Sequence, residues 1–376
     1  MKIVVDRKDL EDALGVVSNT VGNTSGHIES HFVFKADEDK QVEIFSTNGR
    51  IFSSSPLKTV TSEIGEYSAF TIEAKRLFGK SGWLSAVSDS SLTFTFDGEK
   101  VTGLTSKGSI RFPSLDPTSF PYWDNLKKSL KKTADIDPKT LSNILRYNTQ
   151  FVSDDEARNP KMCVVECING FFFSGRKECL VRSFAKGMEE SNIRIHSKDV
   201  RSVINFLSKF KSNVSLLESD RVMILESSDG SVFGEMKFNA KFPELQGFDI
   251  DNKYYWTLSS KEILDSIKFL IPAMEHSDIR VLFRPAKNND VEIGVSAIAG
   301  GLSTLSLTVN GQSESCYDGE GFFVSYPHLV KVLEHLEQDE VVFGINPSPK
   351  GNGGFVKISH SVDDINFLST LSWLIS

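Results

Sequence analysis

Three times along the chain, a short apolar run passes through a capping residue into an amphipathic pattern of helical period. Ile3-Val4-Val5 leads to Asp6, after which Leu10, Ala13, Leu14 and Val17 recur at helical spacing. Ile136 leads to Asp137, followed by Leu141, Ile144 and Leu145; Leu258 leads to Ser259, followed by Ile263, Ile267 and Leu270. Each start has a local cause. Asp6, Asp137 and Ser259 accept hydrogen bonds from orphan amides of a first helical turn. Pro138 suits that turn, and Ser259 with Glu262 has capping-box spacing. A lysine stands two residues after the cap every time (Lys8, Lys139 and Lys261), and an apolar residue four after it. The repeat is about a third of the chain.

Inside each repeat lies a second helix pattern. Phe70-Thr71-Ile72 precedes Glu73 to Leu77; Ile193-Arg194-Ile195 precedes His196 to Leu207; Phe323-Val324 precedes Ser325 to Leu336. The first is the weakest copy, because Lys80 and Ser81 break its stripe and Gly79 and Gly82 disfavour helix. Strand patterns fill the intervals, such as Leu92 to Phe96, Val214 to Leu217 and Val222 to Leu225. Asp97-Gly98, Asp229-Gly230 and Asn352-Gly353-Gly354 supply the turns. Polar bridges run from Asn125 to Ala134 and from Gly247 to Lys253. The expected architecture is α+β: three tandem domains at 1–125, 126–250 and 251–376, each internally duplicated, with two helices backed by antiparallel sheet.

Composition narrows the class. Of 376 residues, 39% are hydrophobic and 24% charged, the balance of a soluble globular protein, and no apolar run is long enough to span a membrane. A cytoplasmic location is expected. The net charge of −8 argues against a protein that coats nucleic acid by bulk attraction, though not against one whose cations are gathered on one surface. The four cysteines, Cys163, Cys167, Cys179 and Cys316, form no CxxC pair and read as buried thiols.

Tandem duplicated α+β units, in this order over the whole chain, resemble the bacterial beta sliding clamp, the processivity factor of the replicative polymerase. Arg111-Phe112-Pro113 through Phe120-Pro121 resembles the run closing that family's first domain, and Lys241-Phe242-Pro243-Glu244 the turn closing its second. Phe323-Val324-Ser325-Tyr326 is similar to a strand-to-helix passage in its third, and Met1-Lys2 with Arg7 to its opening. Departures mark a divergent form, bacterial or viral. The last residues, Leu371 to Ser376, replace a Met-Pro-Met-like ending. Ser174-Gly175-Arg176-Lys177 only dimly matches a Thr-Asp-Gly-His-Arg-Leu segment, and Thr24 stands near a missing arginine.

The resemblance implies a non-catalytic ring that encircles double-stranded DNA without sequence preference, loaded by a clamp loader and tethering the polymerase and other partners. Helices would line the hole. Lys8, Lys75, Arg76, Lys139, Arg146, Lys198, Arg201, Lys209, Lys261, Lys268 and Lys331 are the candidate DNA-facing cations. The recurrence of lysine at helix starts asks for a reason, since the helix dipole disfavours cations there. A partner-peptide pocket is implied at Ser174, Gly175, Arg176, Phe242, Pro243, Asn346, Leu371, Ser372, Trp373 and Leu374. Homodimer closure is implied at Phe112, Leu270 and Ile271. No cofactor or metal is implied, and the expected site of action is the nucleoid or a viral replication site in a host cytoplasm. Two rival readings differ in class. One is a non-ring protein-binding scaffold or clamp paralogue; the other is a metal-dependent hydrolase using His27, Glu29 and His31 on one strand face, although no HExxH, P-loop or GxSxG motif occurs.

Overall fold

The structure, a computed structural model, describes all residues except 124–125, 127–128, 177, 244–250, 274–278, 288–290, 298–300, 310–316, 318, 337–339, 349–352, 363–364 and 376, with backbone alone at 273, 297, 301–309, 362 and 373–375. The described residues form a mixed architecture of helices and antiparallel sheets. By internal contacts the chain divides into two compact units: Met1–Ser142 with Lys198–Phe238, and Asn143–Ser197 with Asn239–Ser376. Neither unit coincides with one of the sequence thirds.

The first unit holds two sheets. One runs β5 (Thr59–Glu63), β1 (Lys2–Asp6), β7 (Ser91–Phe96), β8 (Lys100–Thr105), β9 (Gly108–Pro113). The other runs β10 (Lys131–Ile136), β15 (Val214–Glu218), β16 (Val222–Glu226), β17 (Val232–Met236), β4 (Ile51–Leu57), β3 (Val42–Thr47), β2 (His31–Ala36), β6 (Ala69–Glu73). The second unit holds one sheet of twelve strands. Its first run is β18 (Tyr254–Ser259), β23 (Glu340–Pro347), β24 (Gly354–Val362), β25 (Ile365–Ile375), β13 (Cys179–Phe184), β12 (Phe171–Arg176), β11 (Val164–Ile168), β14 (Asn192–His196). From β25 a branch continues through β22 (Phe322–Ser325), β19 (Ile279–Pro285), β20 (Val291–Ala297) and β21 (Gly301–Val309). The eight strands from β10 to β6 and the eight from β18 to β14 follow one connection plan.

Six α-helices occur among the described residues: α1 (Arg7–Val17), α2 (Ala74–Leu77), α3 (Pro138–Thr149), α4 (Ser197–Leu207), α5 (Ser260–Leu270) and α6 (Tyr326–Leu333). All stand where the periodicity puts them. The caps form as expected: Asp6 Oδ1 accepts from Lys8 N at 2.8 Å, Asp137 Oδ2 from Thr140 N at 2.7 Å, and Ser259 Oγ from Glu262 N at 3.2 Å. The weak copy, α2, stops after one turn where Phe78 is extended and Gly79 takes φ +96°.

Corresponding serines tie strand to helix in each long sheet. Ser46 Oγ in β3 donates to Val17 O at the end of α1, and Ser174 Oγ in β12 donates to Asn148 O near the end of α3 (2.8 Å). On the opposite face of the eight-stranded sheet, Phe45, Phe52, Val33, Val232 and Ile224 are buried under Phe120 and Trp123. Trp123 stacks on Phe52 at 4.2 Å.

One expected bridge is corrected. From Lys131 onward the segment is a strand, β10, paired with β15. Only Ala134 and Ile136 turn inward, too few apolar positions to stand out from the lysines around them. Of the second bridge, 247–250 lie outside the described residues. Cys163, Cys167 and Cys179 are buried and form no disulfide among the described residues; Cys316 and Asn352 lie outside the described residues. No described helix is long and apolar enough to cross a membrane.

A buried histidine makes stability depend on pH. His360 is 5% exposed, stacks on Phe367 at 5.0 Å and has no hydrogen-bond partner on either ring nitrogen. Burial, aided by nearby His335, pushes its pKa down to about 4 from 6.5. His31 and His328 are shifted the same way, also mainly by burial. Between those pH values the unfolded chain binds more protons than the folded one. Stability is therefore fully present above pH 6.5 and falls as pH drops towards 4, by up to about 3 kcal/mol from His360. Urea midpoints across that window should fall less steeply for His360→Phe, which keeps the ring stack; parallel curves for variant and wild type would refute this.

Candidate nucleic-acid and partner interfaces

The recurrent lysines sit on first helical turns, two residues past a formed cap, and Lys8, Lys139 and Lys261 are all exposed. Arg146, Lys198, Arg201, Lys209 and Lys268 are exposed as well. For the remaining three the local partners can be named. Lys75 Nζ lies 2.9 Å from Glu73 Oε1 and Arg76 Nε 2.7 Å from Glu73 Oε2. The hydrogen bond from Lys75 holds the Glu73 carboxyl below its ordinary pKa, so one of these two positive charges is offset locally. Lys331 is half-buried, its Nζ donating to Gln150 O at 3.1 Å. Ten of the eleven cations are thus exposed side chains on helices or helix ends, and Lys331 is the half-buried one.

The implied pocket residues gather at one end of the twelve-stranded sheet, but on both its faces. Register places Arg176, Cys179, Leu371, Val356 and Ile345 in one cross-strand row, and Ser372, Phe355 and Asn346 in the next. Side chains alternate between faces from row to row. Ser174, Arg176 and Leu371 therefore turn towards α3 and its following loop. Ser174 and Leu371 are buried there, and Arg176 Nε donates to Val152 O at 2.6 Å, with Nη2 3.1 Å from Asp154 Oδ2. Gly175, Asn346 and Ser372 belong to the opposite face. A Cβ on Gly175 would lie 2.6 Å from the Leu180 side chain, so only glycine fits.

Phe242 and Pro243 join that opposite face through Glu166, whose Oε2 accepts from Phe242 N at 2.6 Å. Burial raises the Glu166 carboxyl, opposed by this bond and by Arg194 and Lys241. Asn346 is 4% exposed; its Nδ2 donates to Asn252 at 2.8 Å while its Oδ1 has no partner. Ser372 is exposed, its N donating to Glu178 O at 3.1 Å. Trp373 and Leu374 lie in β25 opposite Val324 and Phe323; their side chains and Lys177 lie outside the described residues. Sequence reasoning missed His328, half-buried between Glu178, Arg176 and Lys331 with its Nδ1 unpartnered. Its only signal was its place two residues after Tyr326.

Of the implied dimer positions, Phe112 is 2% exposed and packs on Trp83 at 5.8 Å, Leu270 is 2% exposed, and Ile271 is half-buried. Phe112 and Leu270 are core side chains of their own units, because Leu270 continues the Ile263–Ile267 stripe of α5. The exposed apolar residue of that turn is Phe269, at 67%. His27, Glu29 and His31 do not share a strand face. Ile28–Ser30 is a 3₁₀ turn, and His31 Nδ1 donates to His27 O at 3.0 Å. Among the described residues no group of three or more His, Cys, Asp or Glu is arranged to hold a metal ion.

No family model matches the sequence, and no curated protein matches it. Solved structures do. The DNA polymerase sliding clamp of Caulobacter crescentus matches at a TM-score of 0.81 and 16% identity, covering 100% of both chains. That of Bacillus subtilis matches at 0.79 and 16%, and the DNA polymerase III beta subunit of Thermotoga maritima at 0.77 and 16%; each covers 100% of this chain and 99% of the other. From first strand to last, this chain has the fold of the bacterial DNA polymerase III beta sliding clamp, carried by a far-diverged sequence.

Proposed function

We propose that the protein is a DNA sliding clamp: a non-enzymatic homodimeric ring of three duplicated domains per chain, acting in the cytoplasm, that encircles duplex DNA and tethers a polymerase and other partners. The full-length likeness to solved clamps carries this reading. The shared strand order of the two long sheets supports internal duplication, with borders near 125 and 250. A topological grip needs only weak, sequence-independent phosphate contacts. The exposed cations Lys8, Lys139, Arg146, Lys198, Arg201, Lys209, Lys261 and Lys268 suit that demand, with Lys75, Arg76 and Lys331 contributing less.

Ring closure would join the third domain of one copy to the first of the other. Among the described residues β9 and β21 are the last strands of their sheet paths, and edge strands invite pairing with another chain. Phe112 and Leu270 would back that contact from within, and Ile271 and the exposed Phe269 would lie nearest to it. Partners would dock around Gly175, Arg176, Pro243 and Ser372, with Phe242, Asn346 and Leu371 beneath and Ser174 fixing the hairpin.

Light scattering over a dilution series, followed by loading on nicked circular DNA, tests the reading. A dimer is expected, retained on circles in high salt and released when they are linearised. A monomer at every concentration, or binding that ignores linearisation, would overturn the ring and leave a scaffold.

A further inference from the structure

Register and helix position fix which residues around the two long sheets correspond. Ser46 and Ser174 bond equivalent carbonyls, so Asn19, just past α1, matches Gln150, just past α3. The second turn residue of the hairpin is Arg50 between β3 and β4, and Glu178 between β12 and β13. Counted from the helix start, Asp199, Ser202 and Phe206 of α4 match His328, Lys331 and His335 of α6 and the turn after it. Ser227, after β16, matches His360 of β24. One contact is common to both seams: Ser202 Oγ donates to Asn19 O at 3.2 Å, and Lys331 Nζ to Gln150 O at 3.1 Å. The rest differs. Arg50 holds Asp199 through two contacts of 2.6 Å, and Phe206 packs on Phe210 and Phe233. In the second seam, three histidines stand where the first has Asp199, Phe206 and Ser227.

Each of these histidines suits the closed seam only as a neutral ring. His335 Nδ1 donates to Lys331 O at 2.9 Å, so its Nε2 accepts from Gln150 Nε2 at 2.5 Å. A second ring proton would point at that amide donor. Turning the amide round would set its oxygen towards Arg146 O, 3.4 Å from the nitrogen now there. His360 is buried against Tyr147 and Phe367, and both its nitrogens lack a partner. His328 Nδ1 is buried and unpartnered too. Burial holds the His328 pKa below 6.5; Glu178 of the hairpin opposes this, while Arg176 and Lys331 reinforce it. His335 acts on His360 in the same sense as burial does. Burial also raises the Tyr147 hydroxyl and the Cys179 thiol, so neither supplies a compensating anion.

We propose that the seam between α3 and α6 is a proton-operated latch, closed while His328, His335 and His360 are neutral and opened when they take up protons. Opening lets the rings reach water, where a histidine titrates near 6.5. The open seam therefore binds more protons than the closed one below that pH. Closure is fully stable above 6.5 and weakens as pH falls towards about 4, the value to which burial pushes His360. At pH 5 His360 alone moves the balance towards opening by about thirtyfold. The latch lies within the second unit and is independent of ring closure.

Hydrogen exchange of the full-length protein at about pH 7.5 and about pH 5, corrected for the intrinsic effect of pH on exchange, tests this. Amides of α6 and the turn after it should lose protection about ten- to thirtyfold at the lower pH, while those of β11 and β12, in the same unit, keep theirs. His335→Phe with His360→Phe, which copies Phe206 at one place and keeps the stack on Phe367 at the other, should remove most of the response of α6. Protection of β11 and β12 at the higher pH shows whether that variant is folded, and the wild-type contrast stands without it. Unchanged protection of α6 in the wild type, an equal loss in β11 and β12, or a folded double variant with the full wild-type response would overturn the latch.

Discussion

Truncating Trp123 to alanine is expected to lower the stability of the first unit by about 3–5 kcal/mol, the usual cost of deleting a large buried aromatic. The indole is 3% exposed, stacks on Phe52 at 4.2 Å with 27° between planes, and lies 5.4 Å from Phe45. Phe120 and Tyr122 complete an aromatic cover over the sheet, with Lys35 placed 4.1 Å above the Tyr122 ring. Removing the indole uncovers Phe52 and leaves a void that the rigid strands beneath it cannot close. Trp123→Phe keeps part of the stack and should cost less. Urea denaturation reads the effect, and a loss below about 1 kcal/mol, no more than an ordinary point substitution costs, would show that the cover is not tightly packed.

Replacing Lys237 by methionine is the second large effect. Lys237 Nζ lies 2.7 Å from Glu218 Oε2, and the two side chains are only 5% and 7% exposed. Thr133 Oγ1 donates to the other carboxylate oxygen at 2.7 Å. Without the ammonium, a carboxylate in a site cut off from water loses its charge-assisted partner, at a cost of about 3–5 kcal/mol. Changing Glu218 to leucine as well should recover most of that loss, because two apolar groups need no compensation. Burial also shields the pair from ions, so its contribution should barely change with salt. A double variant no more stable than Lys237→Met alone would disprove the account.

The helices were legible because their causes are local. A cap, a following turn and an apolar stripe all lie within a dozen residues, so Asp6, Asp137 and Ser259 announced three helices from sequence. The weakness of α2 was legible for the same reason. What stayed hidden depends on strands distant in sequence. Nothing near Arg182 says that Leu368 lies opposite it, or that Phe171 shares its cleft. Family likeness placed Ser174 and Leu371 at a pocket, yet the two-residue alternation of β12 and β25 turns both into the core. Phe269 escaped notice because a helical stripe read from Ile263 and Ile267 draws attention to Leu270, its buried neighbour.

The position of β25 has a consequence for how the chain is made. This strand, Ile365–Ile375, lies between β13 and β24 and also carries β22, so the twelve-stranded sheet is joined through a segment synthesised late. At ordinary ribosomal speeds, on the order of ten to forty seconds separate Phe184 of β13 from its partner Asn366. Throughout that interval β13 is an unpaired edge beside half-covered phenylalanines, the kind of surface that recruits chaperones or neighbouring nascent chains. Vectorial synthesis thus favours early completion of the first unit, whose last strand is β17, and makes the second the part of the molecule that most needs protection at birth.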